Sequence, residues 1–205
     1  MLKSLLRLNR FSWLGIVTLL GVCLVMGSTF LRTAVAQPSQ VQPSNSKSTI
    51  MWINHLEFLP GDPSVITSFN AISSGVGGGL SGLIIQSTTI GDTAPGGGNK
   101  VVERGLEVPP KYLIKGVRVC YELSNSRSFI TQIRLAQVQD PPSSAIIRLD
   151  DGTDQTNRGP TCVNSQTTSV DPSKGAILLS LRTNFGSTAD RIVVRAVGLQ
   201  LSKTN

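Results

Sequence analysis

The chain has 205 residues, of which 40% are hydrophobic, 5% aromatic and 15% charged, with 19 Lys+Arg, 12 Asp+Glu and one His. So low a charged fraction excludes a coiled coil or an acidic disordered tail, and a single His excludes zinc chemistry of the H-E-x-x-H type. Three Cys are too few for a disulfide-dense mini-protein or an all-cysteine zinc site.

Lys3, Arg7 and Arg10 open the chain. The uncharged, mainly apolar run Trp13 to Met26 follows, and then Ala34-Val35-Ala36. A basic start, a short apolar stretch and small residues at the A-x-A positions predict a secretory signal over residues 1–36, cleaved before Gln37. The rival reading is a retained anchor, since the run extends to Leu31 if Gly27, Ser28 and Thr29 are tolerated, close to the ~20 residues a spanning helix needs. Removal of the leader takes four of the 19 cations and no acid, leaving 15 cations against 12 acids. That balance is not the basic footprint of a nucleic-acid binder, so no nucleic-acid partner is expected. A membrane is a partner only if the leader is retained. Cys23 leaves with it, and Cys120 and Cys162 remain as the pair for one disulfide in an oxidising compartment.

Residues 37–48 (QPSQVQPSNSKS) are polar and rich in Pro, Ser and Gln, and read as a disordered tether. Residues 49–205 are long enough for one domain. Within them, short apolar or alternating runs recur between turn signals: Ile50 to Leu59, Ser64 to Ser73, Leu80 to Ile90, Tyr112 to Leu123, Phe129 to Val138, Ala145 to Leu149, Ala176 to Arg182 and Arg191 to Leu201. β-branched content, run length and Gly/Pro/Asp/Asn punctuation predict about eight strands and almost no helix. The fold class is therefore all-β, an antiparallel sandwich of jelly-roll type, with a closed barrel as the alternative.

Parity assigns faces. In Tyr112 to Leu123, Val117, Val119, Tyr121 and Leu123 share one side, and Arg118, Cys120 and Glu122 the other. Cys120 then lies on the polar face. Its partner Cys162 falls in a predicted loop, Asp150 to Asp171, so the bridge is expected to pin that loop over the outside of a sheet. The parity of Ile50 to Leu59 groups Trp52 with Leu56 and Phe58 and predicts that Trp52 is at least partly buried.

Four constellations bear on chemistry. Arg118, Arg134, Arg148, Arg182 and Arg195 fall one per strand, and neighbouring strands would gather them into a cationic patch whose planar forks suit carboxylate, sulfate or phosphate. Left solvated or paired with acids, they carry no function. Asp150, Asp151 and Asp154 beside Gly152 offer oxygen ligands to calcium. The spacing fails the EF-hand pattern, and Asp-Gly is equally a hairpin signal. Gly75-Val76-Gly77-Gly78-Gly79 and Ala94-Pro95-Gly96-Gly97-Gly98-Asn99 have no G-K-[ST] after them and read as loops. Tyr112, beside Pro109-Pro110-Lys111, is the aromatic most open to solvent, where a ring face can pack on a sugar.

No G-x-S-x-G occurs, the nearest being Gly79-Leu80-Ser81-Gly82-Leu83, and carboxylate pairs for glycoside hydrolysis cannot be matched in one dimension. No catalytic residue and no organic cofactor are predicted. The expectation is an exported binding module of the surface or envelope, extracellular or periplasmic. Its partner is an anionic polysaccharide or envelope component met by Arg118, Arg134, Arg148 and Tyr112. The alternatives are a surface assembly protein with protein partners only, and a small secreted hydrolase.

Overall fold

The computed structural model describes residues 48–69, 82–139 and 142–204. The leader, nearly all of the tether and the first glycine-rich stretch lie outside the described residues. The strands are β1 (Thr49–Ile53), β2 (Leu59–Pro60), β3 (Val65–Phe69), β4 (Leu83–Ser87), β5 (Val101–Leu106), β6 (Tyr112–Leu123), β7 (Phe129–Val138), β8 (Ala145–Asp151), β9 (Thr161–Asn164), β10 (Ile177–Asn184) and β11 (Ile192–Lys203). Two 3₁₀ turns, His55–Glu57 and Pro172–Lys174, are the helical elements among the described residues.

The strands form two antiparallel sheets, a sandwich and not a closed barrel. The first runs β3-β4-β11-β6-β9, with β1 also on β11; the second runs β2-β5-β10-β7-β8. β11 is the spine of the first sheet. One edge pairs with β6 along nearly its whole length, and the other is shared in turn by β4 at Ile192–Val194 and by β1 at Val197–Leu201. A register shift at Val194/Ala196 leaves Arg195 as the extra residue, the usual effect of a bulge.

Alternation builds the core. Val117, Val119, Tyr121 and Leu123 from β6 and Val197 and Leu199 from β11 turn inward and are at most 2% exposed. Ile133 and Leu135 of β7 and Leu179 and Leu181 of β10 meet them from the second sheet, joined by Phe58 and Phe185. Each such side chain contributes about 1.5–3 kcal/mol relative to exposure, so the sandwich rests on this layer.

The run Ile50 to Leu59 is not one strand. The Asn54 side chain accepts from Leu56 N at 3.1 Å and opens a 3₁₀ turn, which separates β1 from β2 and resets the parity. Phe58 is buried as expected, but Trp52 is not: it is 55% exposed. β5 and β9 arise where no strand is predicted. Cys162 lies in β9, directly across from Cys120 in the register. The disulfide Cys120–Cys162 therefore ties an edge strand to β6 on the outer face, rather than pinning a loop.

Candidate functional site

Trp52 stands on the outer face of the first sheet because Met51 and Ile53, its neighbours in β1, pack against the core. The register runs Trp52, Gly198, Arg118, Asn164 across four adjacent strands. At the usual strand spacing Trp52 and Arg118 are about 10 Å apart at Cα. Gly198 makes this row flat: a Cβ there would come within 3.0 Å of Trp52 Cε3 and 2.6 Å of Ile50 Cγ2. The indole lies over a bare glycine. In the next outward row Gln200 of β11 folds over Gly116 of β6, where a Cβ would meet Gln200 Oε1 at 2.9 Å. Arg118 Nη1 donates to Asn164 Oδ1 at 2.9 Å. The result is an exposed aromatic face on a glycine floor, bordered by two amides and a guanidinium.

The second sheet bears a cleft of about 390 Å³ on its own outer face. Its floor is the C-terminal end of β10 and the N-terminal end of β7, with Arg182, Asn184, Phe129, Thr131 and Gln132. One wall carries Asp92 and the other Gly152 and Asp154. Both walls are anchored: Gly91 bridges to Phe185 and Gln155 to Ile130. Lys100 holds the first wall from beneath. Fully buried, its ammonium donates to the carbonyls of Thr89, Ile90 and Gly91 at 2.6, 2.7 and 3.1 Å. Burial pushes its pKa down, opposed by Asp62 and Asp92. Arg182 Nη2 pairs with Asp92 at 2.6 Å.

A third depression, about 460 Å³, lies at one end of the sandwich between Val108, Pro110, Lys111, Tyr112, Asp171 and Pro172. Tyr112 is half-buried here and packs partly against the core.

The arginines do not form one patch. Arg118 and Arg195 belong to the first sheet, and Arg134 and Arg182 to the outer face of the second. Arg134 pairs with Asp150 at 3.1 Å, and Arg195 with Glu122 at 2.6 Å. Arg148 sits where the β7–β8 register shifts and donates to the buried Gln137 at 3.0 Å. Nor do the three aspartates converge. Asp150 faces outward to Arg134 and Gln132. Asp151 is buried and accepts from the backbone N–H groups of Thr153 and Gln166 at 3.1 and 2.8 Å. Burial pushes its pKa up, but the Thr153 side chain together with those two backbone bonds holds it below the ordinary carboxylate value. Asp154 lies at the cleft wall. Among the described residues no cluster of three His, Cys, Asp or Glu suits a metal ion.

Trp52, Gly198, Gln200 and Asn164 are the residues that sequence reasoning missed as a surface. The usable signal was the Asn54 turn beside Trp52, which breaks the parity.

No protein-family model matches the chain, and no curated protein matches it. Solved structures do. The CBM22-1 xylan-binding domain of Paenibacillus barcinonensis Xyn10C is similar over 72% of this chain and 87% of that domain, at 10% identity and a TM-score of 0.50. The CBM22-1–GH10 modules of Clostridium thermocellum endo-1,4-β-D-xylanase 10B, solved with xylohexaose, match over 78% of this chain at 10% identity and a TM-score of 0.49; the chain spans 28% of their length. A family 29 carbohydrate binding module matches over 75% of this chain and 89% of its own, at 10% identity and a TM-score of 0.38. At such identities the likeness is one of fold, a β-sandwich.

Proposed function

We propose that the domain is an exported, non-catalytic glycan-binding module, and that a sugar ring stacks on Trp52. The exposed indole on its glycine floor carries this reading. An aromatic face presents apolar area that matches the C–H face of a pyranose, while Gln200, Asn164 and Arg118 supply the donors and acceptors that hydroxyls need. The flat row leaves room for a chain of sugars to lie across the strands. The similar solved domain is described as xylan-binding, which supports a polysaccharide as the class of ligand. Export is supported by the disulfide, since disulfides persist in oxidising compartments.

Arg118 supports the finer reading of an anionic glycan. It shares the row with Trp52, and its guanidinium is bonded to a neutral amide, not to a carboxylate, so its positive charge is unopposed there. The test is binding of the wild type, Trp52→Ala and Arg118→Gln to neutral and acidic polysaccharides at low and high salt. Trp52→Ala is expected to weaken every binder at least tenfold, about 1.4 kcal/mol. Arg118→Gln is expected to weaken acidic members alone, with salt removing the difference. Unchanged binding by Trp52→Ala overturns the proposed site. Wild type that binds no member overturns the glycan reading and favours a structural protein of the cell surface.

A further inference from the structure

We infer that the cleft on the second sheet is a separate site for a neutral sugar, so that the module holds two glycan segments on opposite faces. Three observations carry the inference. The first is shape: about 390 Å³ lies in the range of small-ligand sites, and both walls are fixed by backbone bridges. The second is chemistry. Phe129 offers a ring. The Gln132 and Asn184 amides each give one N–H to the protein, to Asp150 Oδ1 and to the Arg127 carbonyl, and each carries a second N–H and an oxygen that suit sugar hydroxyls. Asp92 and Asp154 stand on opposite walls against the single cation Arg182. That balance repels an acidic ligand and leaves a neutral one.

The third is a pair of unmet bonds in the same floor. Thr131 Oγ1 and Arg182 Nε are buried atoms with no hydrogen-bond partner. An unmet buried polar atom costs about 1–3 kcal/mol. Both belong to side chains that are still partly exposed, so a small rotation turns either atom to a hydroxyl seated in the cleft. Arg182 Nε–H would donate, and the Thr131 hydroxyl would donate or accept.

The inference rests on the glycan reading but on different residues, which lets the two fail separately. The experiment is calorimetric titration of the full-length chain with xylohexaose and cellohexaose. The variants are Trp52→Ala, Gly152→Leu and both together. Gly152 has open space where a Cβ would stand, so leucine obstructs the cleft without crowding the fold. Asp154→Ala plus Gln132→Ala is the second cleft variant. The expected stoichiometry is two ligands per chain in the wild type, one in either single variant, and none in the double. One ligand, lost in Trp52→Ala and kept in the cleft variants, overturns the cleft alone. One ligand, lost in the cleft variants and kept in Trp52→Ala, overturns the second segment: the cleft stands and the Trp52 row takes no neutral chain. Neither hexasaccharide binding the wild type overturns this inference.

Discussion

Asp190 shows how a single carboxylate can hold a corner of the sandwich. It is buried, and it accepts from Arg127 Nε at 2.9 Å and from Ser128 Oγ at 2.7 Å. Ser128 in turn accepts from Gly186 N at 2.8 Å. The turn before β7 and the segment before β11 are thereby joined. The Arg127 hydrogen bond, chiefly, and that of Ser128 hold the Asp190 pKa below the usual 3.8, against the opposing effect of burial. A carboxylate with a depressed folded pKa binds fewer protons folded than unfolded. Its stabilisation is complete above about pH 3.8 and is lost as pH falls through the lower folded value. Asp190→Asn is expected to lower the urea midpoint at pH 7 and to flatten the acid limb, so that mutant and wild type converge at a pH below 3.8. Parallel curves down to that pH would show that the ion pair is not what stabilises the corner. Nothing in the sequence marks Asp190, because its partners lie more than 60 residues away.

Among the elements, those that obey period 2 over many residues were legible and the short or interrupted ones were not. β6 and β7 match their predicted spans residue for residue, since each alternates or stays apolar for ten residues or more between clear turns. β5 reads VVERGL, with only Val101, Val102 and Leu106 apolar. Its place is fixed by Val102 and Leu106 pairing with Leu181 and Ile177 of β10, a tertiary cause. β9 has four residues and no alternation to see. It exists because β6 offers an edge and the disulfide holds it there. Trp52 was misplaced for a related reason: parity was carried through a turn that a side chain makes at Asn54. The disulfide closes 42 residue steps, for which chain entropy gives about 4 kcal/mol. Cys120→Ala plus Cys162→Ala is expected to lose up to that amount in chemical unfolding. Amide exchange should rise first at Val163 and at Val119 across from it, while Arg118, whose backbone groups face β11, stays protected. Uniform loss of protection across β6 and β11 would show that β9 is integral to the core and not a strapped edge.

For the whole molecule the decisive feature is that the two candidate surfaces lie on the outer faces of different sheets. The core between them is filled by inward side chains from both, and packed sheets stand about 10 Å apart, so no single sugar chain can thread from one surface to the other. Two chains held at once must therefore be different molecules or distant segments of one. That geometry predicts a cross-linker, in which one module joins two polymer strands without any protein oligomer. Titrating the protein into a soluble neutral polysaccharide is expected to raise light scattering to a maximum and then lower it, as excess protein occupies every strand singly. Trp52→Ala and Gly152→Leu should each abolish the maximum while still binding the polymer, because either leaves one site. Multivalent attachment also raises apparent affinity for a polymer over a short oligosaccharide, and the single-site variants should lose that gain together with the scattering. A scattering maximum that survives in both variants would place the cross-link in protein self-association, and the two faces would then have no joint role.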